Sequence, residues 1–234
     1  MATVLEANNL AKASKGLEIE ERILNFAKSV KDGGWGCDDD VDGPRKVDRL
    51  SLVSSCRHQG MPQRIIDTLS GDLIDTDAYA TVKKFIEAPR DGWCLVLSGP
   101  KGCGKSTAAA YYLWEKTKQA EAELPKDRRW WTASRVARVS GFNDQLENMM
   151  KLPVMVIDDL GVEYLDKNGY FNHRLDELID ERYSNYRKTI ITTNLNPEDF
   201  QSRYEQRVTD RIRQGFKHGG DYACFNPEGK SLRA

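Results

Sequence analysis

The segment Gly99-Pro-Lys-Gly-Cys-Gly-Lys-Ser106 fits the pattern G-x-x-x-x-G-K-[ST]. Each residue type in it answers a need of phosphate chemistry. Glycines let successive backbone N–H groups turn inward around phosphate oxygens. A helix that starts at the end of the loop points its positive dipole end at the same anion. Lys105 would reach the β- and γ-phosphates as a point charge, and the Ser106 hydroxyl is placed to bind Mg2+. The candidate nucleotide contacts are therefore Gly99, Pro100, Lys101, Gly102, Cys103, Gly104, Lys105, Ser106 and Thr107. The competing reading is a glycine-rich turn that binds nothing. An apolar run before the loop and a helical stretch after it argue against that reading.

A second candidate lies downstream, where Val154-Met-Val-Ile157 runs into Asp158-Asp159-Leu-Gly161. A carboxylate at the end of a buried strand in such a sheet holds Mg2+, usually through water, which suits Asp158. Its neighbour Asp159 could orient or activate the attacking water. Alternatively, the acidic pair caps the following turn. Asn194 follows the apolar strand Thr189–Thr193 and could contact the γ-phosphate or the water. The bland alternative is a turn made by Asn194 and Asn196 before Pro197. Ligands of parallel sheets gather outside the carboxyl ends of the strands, which favours the functional reading. Further on, Arg203, Arg207 and Arg211 recur every four residues, with Arg213 close by, so the spacing predicts one shared helical face. On its own this reads as a solvated basic face pairing with Glu205 and Asp210.

These residues need elements to position them. Trp93–Leu97, Pro153–Ile157 and Thr189–Thr193 read as buried strands, Trp130–Ala133 as a further strand and Tyr222–Phe225 as a last one. Helices are predicted over Ser106–Lys118, Ser134–Met150 with a break near Gly141, Phe171–Tyr186 and Glu198–Gln214. Strands alternating with helices imply a parallel sheet covered on both faces. Upstream, Leu17–Val30 has a helical rhythm, with Ile19, Ile23, Phe26, Ala27 and Val30 on one face. Residues 32–44 are rich in Gly and Asp and read as a solvated linker. They lack the spacing and closing Glu of a calcium-binding loop. The expected division is a small helical N-terminal part and linker over 1–60 and a main domain over 61–234.

The bulk numbers narrow the classes further. With 39% hydrophobic and 30% charged residues, a 234-residue chain can bury a core and solvate its surface. A formal net charge of −1 gives no whole-molecule attraction to nucleic acid or membrane, so any such contact would be a local patch. Five cysteines, with no Cys-x-x-Cys, argue against a disulfide framework and for a reducing cytoplasm. Cys37, Cys56 and His58 match no zinc spacing and read as free thiols and a surface histidine. No signal peptide is evident, and no stretch approaches the ~20 apolar residues that span a bilayer. Lys126, Arg128, Arg129, Arg135 and Arg138 surround Trp130-Trp131. That combination has the ingredients of a single-strand groove with stacking rings, although paired Trp in a strand is more often core.

Taken together, Gly-Pro-Lys-Gly-Cys-Gly-Lys-Ser, Val-Ile-Asp-Asp-Leu-Gly, Ile-Ile-Thr-Thr-Asn-Leu and Arg-Val-Thr-Asp-Arg-Ile resemble the AAA+ ATPases of the DnaC/DnaI-type helicase loaders and their IstB-type relatives. Arg57–Arg64 resembles that family's lead-in to the ATPase core, and Arg182-Tyr183 also fits; the likeness covers roughly residues 57–226. It implies an α/β P-loop NTPase (AAA+) three-layer sandwich with a parallel five-stranded sheet and no C-terminal lid domain. ATP and Mg2+ are the implied cofactors. By position, Lys105 and Ser106 would hold phosphates and metal, Asp158 would be the metal carboxylate, and Asn194 would match sensor 1. Asp159 sits where many AAA+ members have glutamate, and its shorter reach implies slow hydrolysis. Arg211 would be the arginine finger reaching a neighbouring subunit, with Arg207 the runner-up. The implied partners are a replicative DNA helicase, single-stranded DNA and further copies of the chain. The N-terminal region would dock the helicase. Two other functions are open at this level: an IstB-like ATPase that regulates a transposase, and a P-loop small-molecule kinase. The absence of an obvious substrate lid between Asp159 and Asn194 disfavours the kinase.

Overall fold

In the computed structural model, residues 49–71, 73, 75–119, 128–139, 144–164, 169–216 and 223–224 are described. All belong to one compact unit, Pro44–Ala234. The anticipated helix over Leu17–Val30, the linker over 32–44 and Lys126 lie outside the described residues.

Three helices come first: α1 (Arg49–His58), α2 (Gln63–Ser70) and α3 (Asp77–Ile86). Then follow β1 (Cys94–Ser98), α4 (Lys105–Gln119), β2 (Arg128–Thr132), α5 (Ala133–Ala137), α6 (Asp144–Lys151) and β3 (Val154–Leu160). The chain continues through α7 (Tyr170–Ser184), β4 (Lys188–Thr193), α8 (Pro197–Arg203), α9 (Gln206–Arg213) and β5 (Ala223–Cys224). The sheet order is β2-β3-β4-β1-β5, and every pairing is parallel. Four strands are of full length. The anticipated fifth is only a two-residue ladder, Leu97 and Ser98 against Ala223 and Cys224.

Alternation along the strands sorts the core into two layers. Leu95, Leu97, Val156 and Ile190 pack under α1–α4. Cys94, Val96, Met155, Ile157 and Ile191 pack under α5–α9. The result is a sheet between two helical layers. Leu52 and Cys56 of α1 are buried in the first layer, so the core reaches upstream of residue 60. Burial pushes the Cys56 thiol up to about 12, the behaviour of a core thiol rather than a metal ligand.

The edge strand β2 is not left bare, which suppresses edge-to-edge pairing. Trp130 N donates to Gln59 O at 2.8 Å, and Arg129 Nη1 donates to His58 O at 3.1 Å. Trp130 joins the first core layer, while Trp131 packs against the second with the Arg135 guanidinium 4.4 Å above its ring. Of the two readings of this pair, Trp130 is core.

Two predicted helices are each divided. Thr132 caps α5, its hydroxyl accepting from Arg135 N at 3.3 Å, and a separate helix α6 starts at Asp144. The predicted helix over Glu198–Gln214 is broken at Tyr204, which is extended (φ −113°, ψ 155°). Tyr204 turns inward, its ring 4.8 Å from that of Phe200 and its hydroxyl 2.8 Å from Glu163 Oε1. The single face expected for Arg203, Arg207 and Arg211 is therefore corrected: Arg203 ends α8, and only Arg207 and Arg211 share α9.

Candidate functional site

Sheet order determines where the site can be. β1 and β3 are not neighbours; β4 lies between them. The loop after β1, the acidic end of β3 and the polar end of β4 therefore meet at one carboxyl edge, the usual place for a ligand crevice. The three strand ends are laced together. Gly99 N donates to Thr193 O at 3.3 Å, Ser98 Oγ to Leu195 O at 2.6 Å, and Thr193 Oγ1 to Leu160 O at 2.6 Å.

The phosphate-binding pattern forms the turn the sequence predicts. Gly102 (φ 87°) and Gly104 (φ 90°) occupy left-handed backbone that side chains disfavour, and α4 begins at Lys105. Lys105 is 5% exposed. Its Nζ donates to Gly99 O and Pro100 O, both at 2.7 Å, and to Asn194 Oδ1 at 3.1 Å. Cys103 Sγ lies 3.5 Å from the same nitrogen. The ammonium is thus fixed over the loop by short, directed contacts. Asn194 is thus joined to the loop through this lysine.

Asp158 is 6% exposed and lies inside β3, not after it. Thr192 Oγ1 donates to its Oδ1 at 2.7 Å, and the Ser106 hydroxyl also bonds its carboxylate. Burial pushes Asp158 up to about 6. The Asp159 charge adds to the rise, while the Thr192 and Ser106 bonds and the Lys105 charge oppose it. Lys105, Ser106 and Asp158 therefore come together at the carboxyl edge of the sheet. A buried carboxylate with a hydroxyl on it, beside an ammonium and a helix start, is the donor set that Mg2+ and a polyphosphate require.

Asp159 takes a left-handed conformation (φ 57°), and the pairing of β3 with β4 shifts register between Ile157 and Leu160. Its N–H donates to Thr192 Oγ1 at 2.9 Å. One threonine hydroxyl thus accepts from the Asp159 backbone and donates to the Asp158 carboxylate. Such bulges re-aim a side chain next to a site.

The sequence reading missed Thr192 and Glu163. The strand pattern holds the signal for Thr192: Ile157 pairs with Ile191, so the next position on β4 adjoins Asp158. Glu163 is 3% exposed and gathers Gly161, Arg203 and Tyr204 around one carboxylate. No local pattern marks it, because two of its partners are 40 and 41 residues away. Arg182, singled out beside Tyr183, is fully buried. It donates to Met149 O, Leu152 O, Lys188 O and Thr189 Oγ1, tying the end of α6 to β4. Burial lowers its guanidinium to about 9, still protonated at neutral pH.

Arg207 and Arg211 of α9 lie apart from this hydrogen-bond network and grip α7. Arg211 Nη1 is 2.9 Å from Asp176 Oδ1 and its Nη2 is 2.5 Å from Asp180 Oδ1. Arg207 Nη1 is 3.2 Å from Asp176 Oδ2. The side chain of Arg211 is 16% exposed and that of Arg207 63%. The pairing expected with Asp210 is made by Arg213, at 3.7 Å, whereas Arg207 and Arg211 turn to Asp176 and Asp180 because α9 packs on α7.

The parallel sheet carries a glycine-rich loop after β1, an acidic β3 end and a polar β4 between them, the architecture of a P-loop α/β fold. No protein-family model and no curated protein matches the sequence. Solved structures do match. A structure of the DnaC helicase loader aligns at TM-score 0.52 and 22% identity, covering 70% of this chain and 99% of that one. A DnaI structure aligns at TM-score 0.51 and 21% identity, covering 67% and 92%. AMPPCP-bound DnaA from Aquifex aeolicus aligns at TM-score 0.51 and 16% identity, covering 62% and 47%. This chain shares its fold with these structures. Among the described residues, no helix is long and apolar enough to cross a membrane.

Proposed function

We propose that the chain is an ATP-dependent DNA-replication protein, a loader of a replicative DNA helicase working in the cytoplasm. The observation that carries the ATP-binding reading is the meeting of Lys105, Ser106, Asn194 and Asp158 at the carboxyl edge of the sheet. In this reading the loop from Gly99 to Thr107 cradles the phosphates, and Lys105 neutralises the β/γ oxygens. Ser106 and Asp158 would hold Mg2+, which draws charge from the phosphate oxygens when bound. Asp159 orients the attacking water, and Asn194 holds Lys105 in register with the terminal phosphate. Slow turnover is expected, because aspartate reaches less far than glutamate.

An arginine of α9 supplies positive charge to the site of a neighbouring copy, which makes hydrolysis depend on self-association. Of the two candidates, Arg207 can leave its carboxylates at lower cost than Arg211, because it is exposed and makes longer contacts. The helicase-loading role rests on the four-motif resemblance and the shared fold. The segment proposed to dock the helicase is the N-terminal region upstream of α1, and single-stranded DNA is the proposed second partner. Cys56, Cys94 and Cys103 are free thiols, which suits a reducing compartment.

The test is co-purification of a replicative DNA helicase with the full chain in ATP and in ADP, repeated after deletion of residues 1–43. That boundary spares Leu52 and Cys56 of the core. Capture by the full chain and its loss on deletion support loading. No helicase binding in either nucleotide overturns it.

A further inference from the structure

We propose that Glu163 is a positioning residue for Asp159, and that it ties the acidic turn to the root of the arginine helix. The inference rests on the proposed hydrolysis of ATP and goes beyond it by naming what holds the water-orienting carboxylate in place. Glu163 has a fully covered side chain. A carboxylate so placed is costly unless each oxygen is satisfied. Here both are. Oε2 accepts from Gly161 N at 2.7 Å, while Oε1 accepts from Arg203 Nε at 3.1 Å and from Tyr204 Oη at 2.8 Å. The Glu163 carbonyl accepts from Arg203 Nη2 at 2.8 Å.

The Gly161 bond matters because of what precedes it. Asp159 is left-handed, and Val162 N donates back to Asp159 O at 3.3 Å. Gly161 (φ 112°) lies so close to Leu195 that a Cβ there would stand 2.9 Å from its side chain. Leu195 is held in turn by Thr193 Oγ1 and follows Asn194. Residues 159–163 are therefore a closed turn, anchored at its start by Thr192 and at its end by Glu163. At the start, the left-handed Asp159 is strained backbone that persists only if its surroundings over-determine it. The end anchor ties this turn to Arg203 and Tyr204, three and two residues before α9. A displacement of α9 by a neighbouring copy would thus pull on the Asp159 turn through the Glu163 carboxylate.

The substitution Glu163→Gln preserves volume but cannot satisfy both sides. An amide presents its oxygen to Gly161 N or to Arg203 and Tyr204, and its NH2 then faces donors on the other side. Tyr204→Phe removes one donor and leaves the ring packing on Phe200. The readouts are affinity for a fluorescent ATP analogue, steady-state ATPase and melting temperature, all on the full chain. Glu163→Gln is expected to lower kcat about tenfold or more, since small misplacement of a reacting group has large rate effects. Tyr204→Phe should lower it about threefold. In both, nucleotide affinity should stay within about threefold of the parent. Parallel loss of affinity, kcat and melting temperature would mark a merely structural role and overturn the proposal. So would unchanged kcat in both variants. A parent chain that binds ATP but never hydrolyses it removes the underlying activity instead, which is a separate result from insensitivity to Glu163.

Discussion

Replacing Asp158 by asparagine should stabilise the ligand-free protein at neutral pH while destroying its response to Mg2+. Burial raises this carboxyl from an ordinary 3.8 to about 6. At about 1.36 kcal/mol per pH unit, ionising it in the folded protein costs about 3 kcal/mol more than in the unfolded chain. The folded state holds its proton more tightly, so stability from this group is fully present below about pH 4 and is lost as pH rises through about 6. Asparagine mimics the protonated acid and can still accept the Thr192 hydroxyl bond. The expected gain is about 3 kcal/mol at about pH 8 and roughly half of that at about pH 5. Urea unfolding at both pH values measures it, with chelator present. Adding ATP with Mg2+ should then stabilise the parent strongly and the variant weakly. Asparagine that destabilises equally at both pH values would refute the reasoning, because the carboxylate would then be favoured, not penalised, by its surroundings.

Other outcomes follow from the same geometry. The Thr192 bond lowers Asp158, so Thr192→Val should move the acidic limb of Mg2+–ATP binding to higher pH, read by titrating a fluorescent ATP analogue across pH. Arg182→Met strips donors from three carbonyls and a threonine hydroxyl in a fully buried setting, and should cost about 3–5 kcal/mol in urea unfolding. Arg207→Ala should spare ATP binding and remove the concentration dependence of ATPase. Arg211→Ala, which breaks the covered pairs to Asp176 and Asp180, should mainly lower the melting temperature.

The glycine-rich turn before α4 could be read from sequence because its pattern is local: glycines, lysine and serine fall within one turn and the next helix. Asp158 was legible for a related reason, standing at the end of an apolar run whose direction sets its place in a parallel sheet. Asn194 was placed by strand position, although its lysine partner emerges only when β4 is seen between β1 and β3. What escaped depends on contacts across the chain. Nothing near Tyr204 signals a break in a helical run; the break exists because Glu163, far upstream, offers its hydroxyl a buried acceptor. The same long-range carboxylate takes Arg203 off the face it would have shared with Arg207 and Arg211. The lead-in around Gln59 was recognised as a pattern, yet its task of covering the β2 edge follows only from strand order.

The most direct test is calorimetric titration of ATP with Mg2+ into the full chain and into Lys105→Ala. One saturable site in the parent, lost or weakened at least about a hundredfold in the variant, is the predicted result. Equal binding by both proteins, or none by the parent, would contradict a phosphate site built on Lys105.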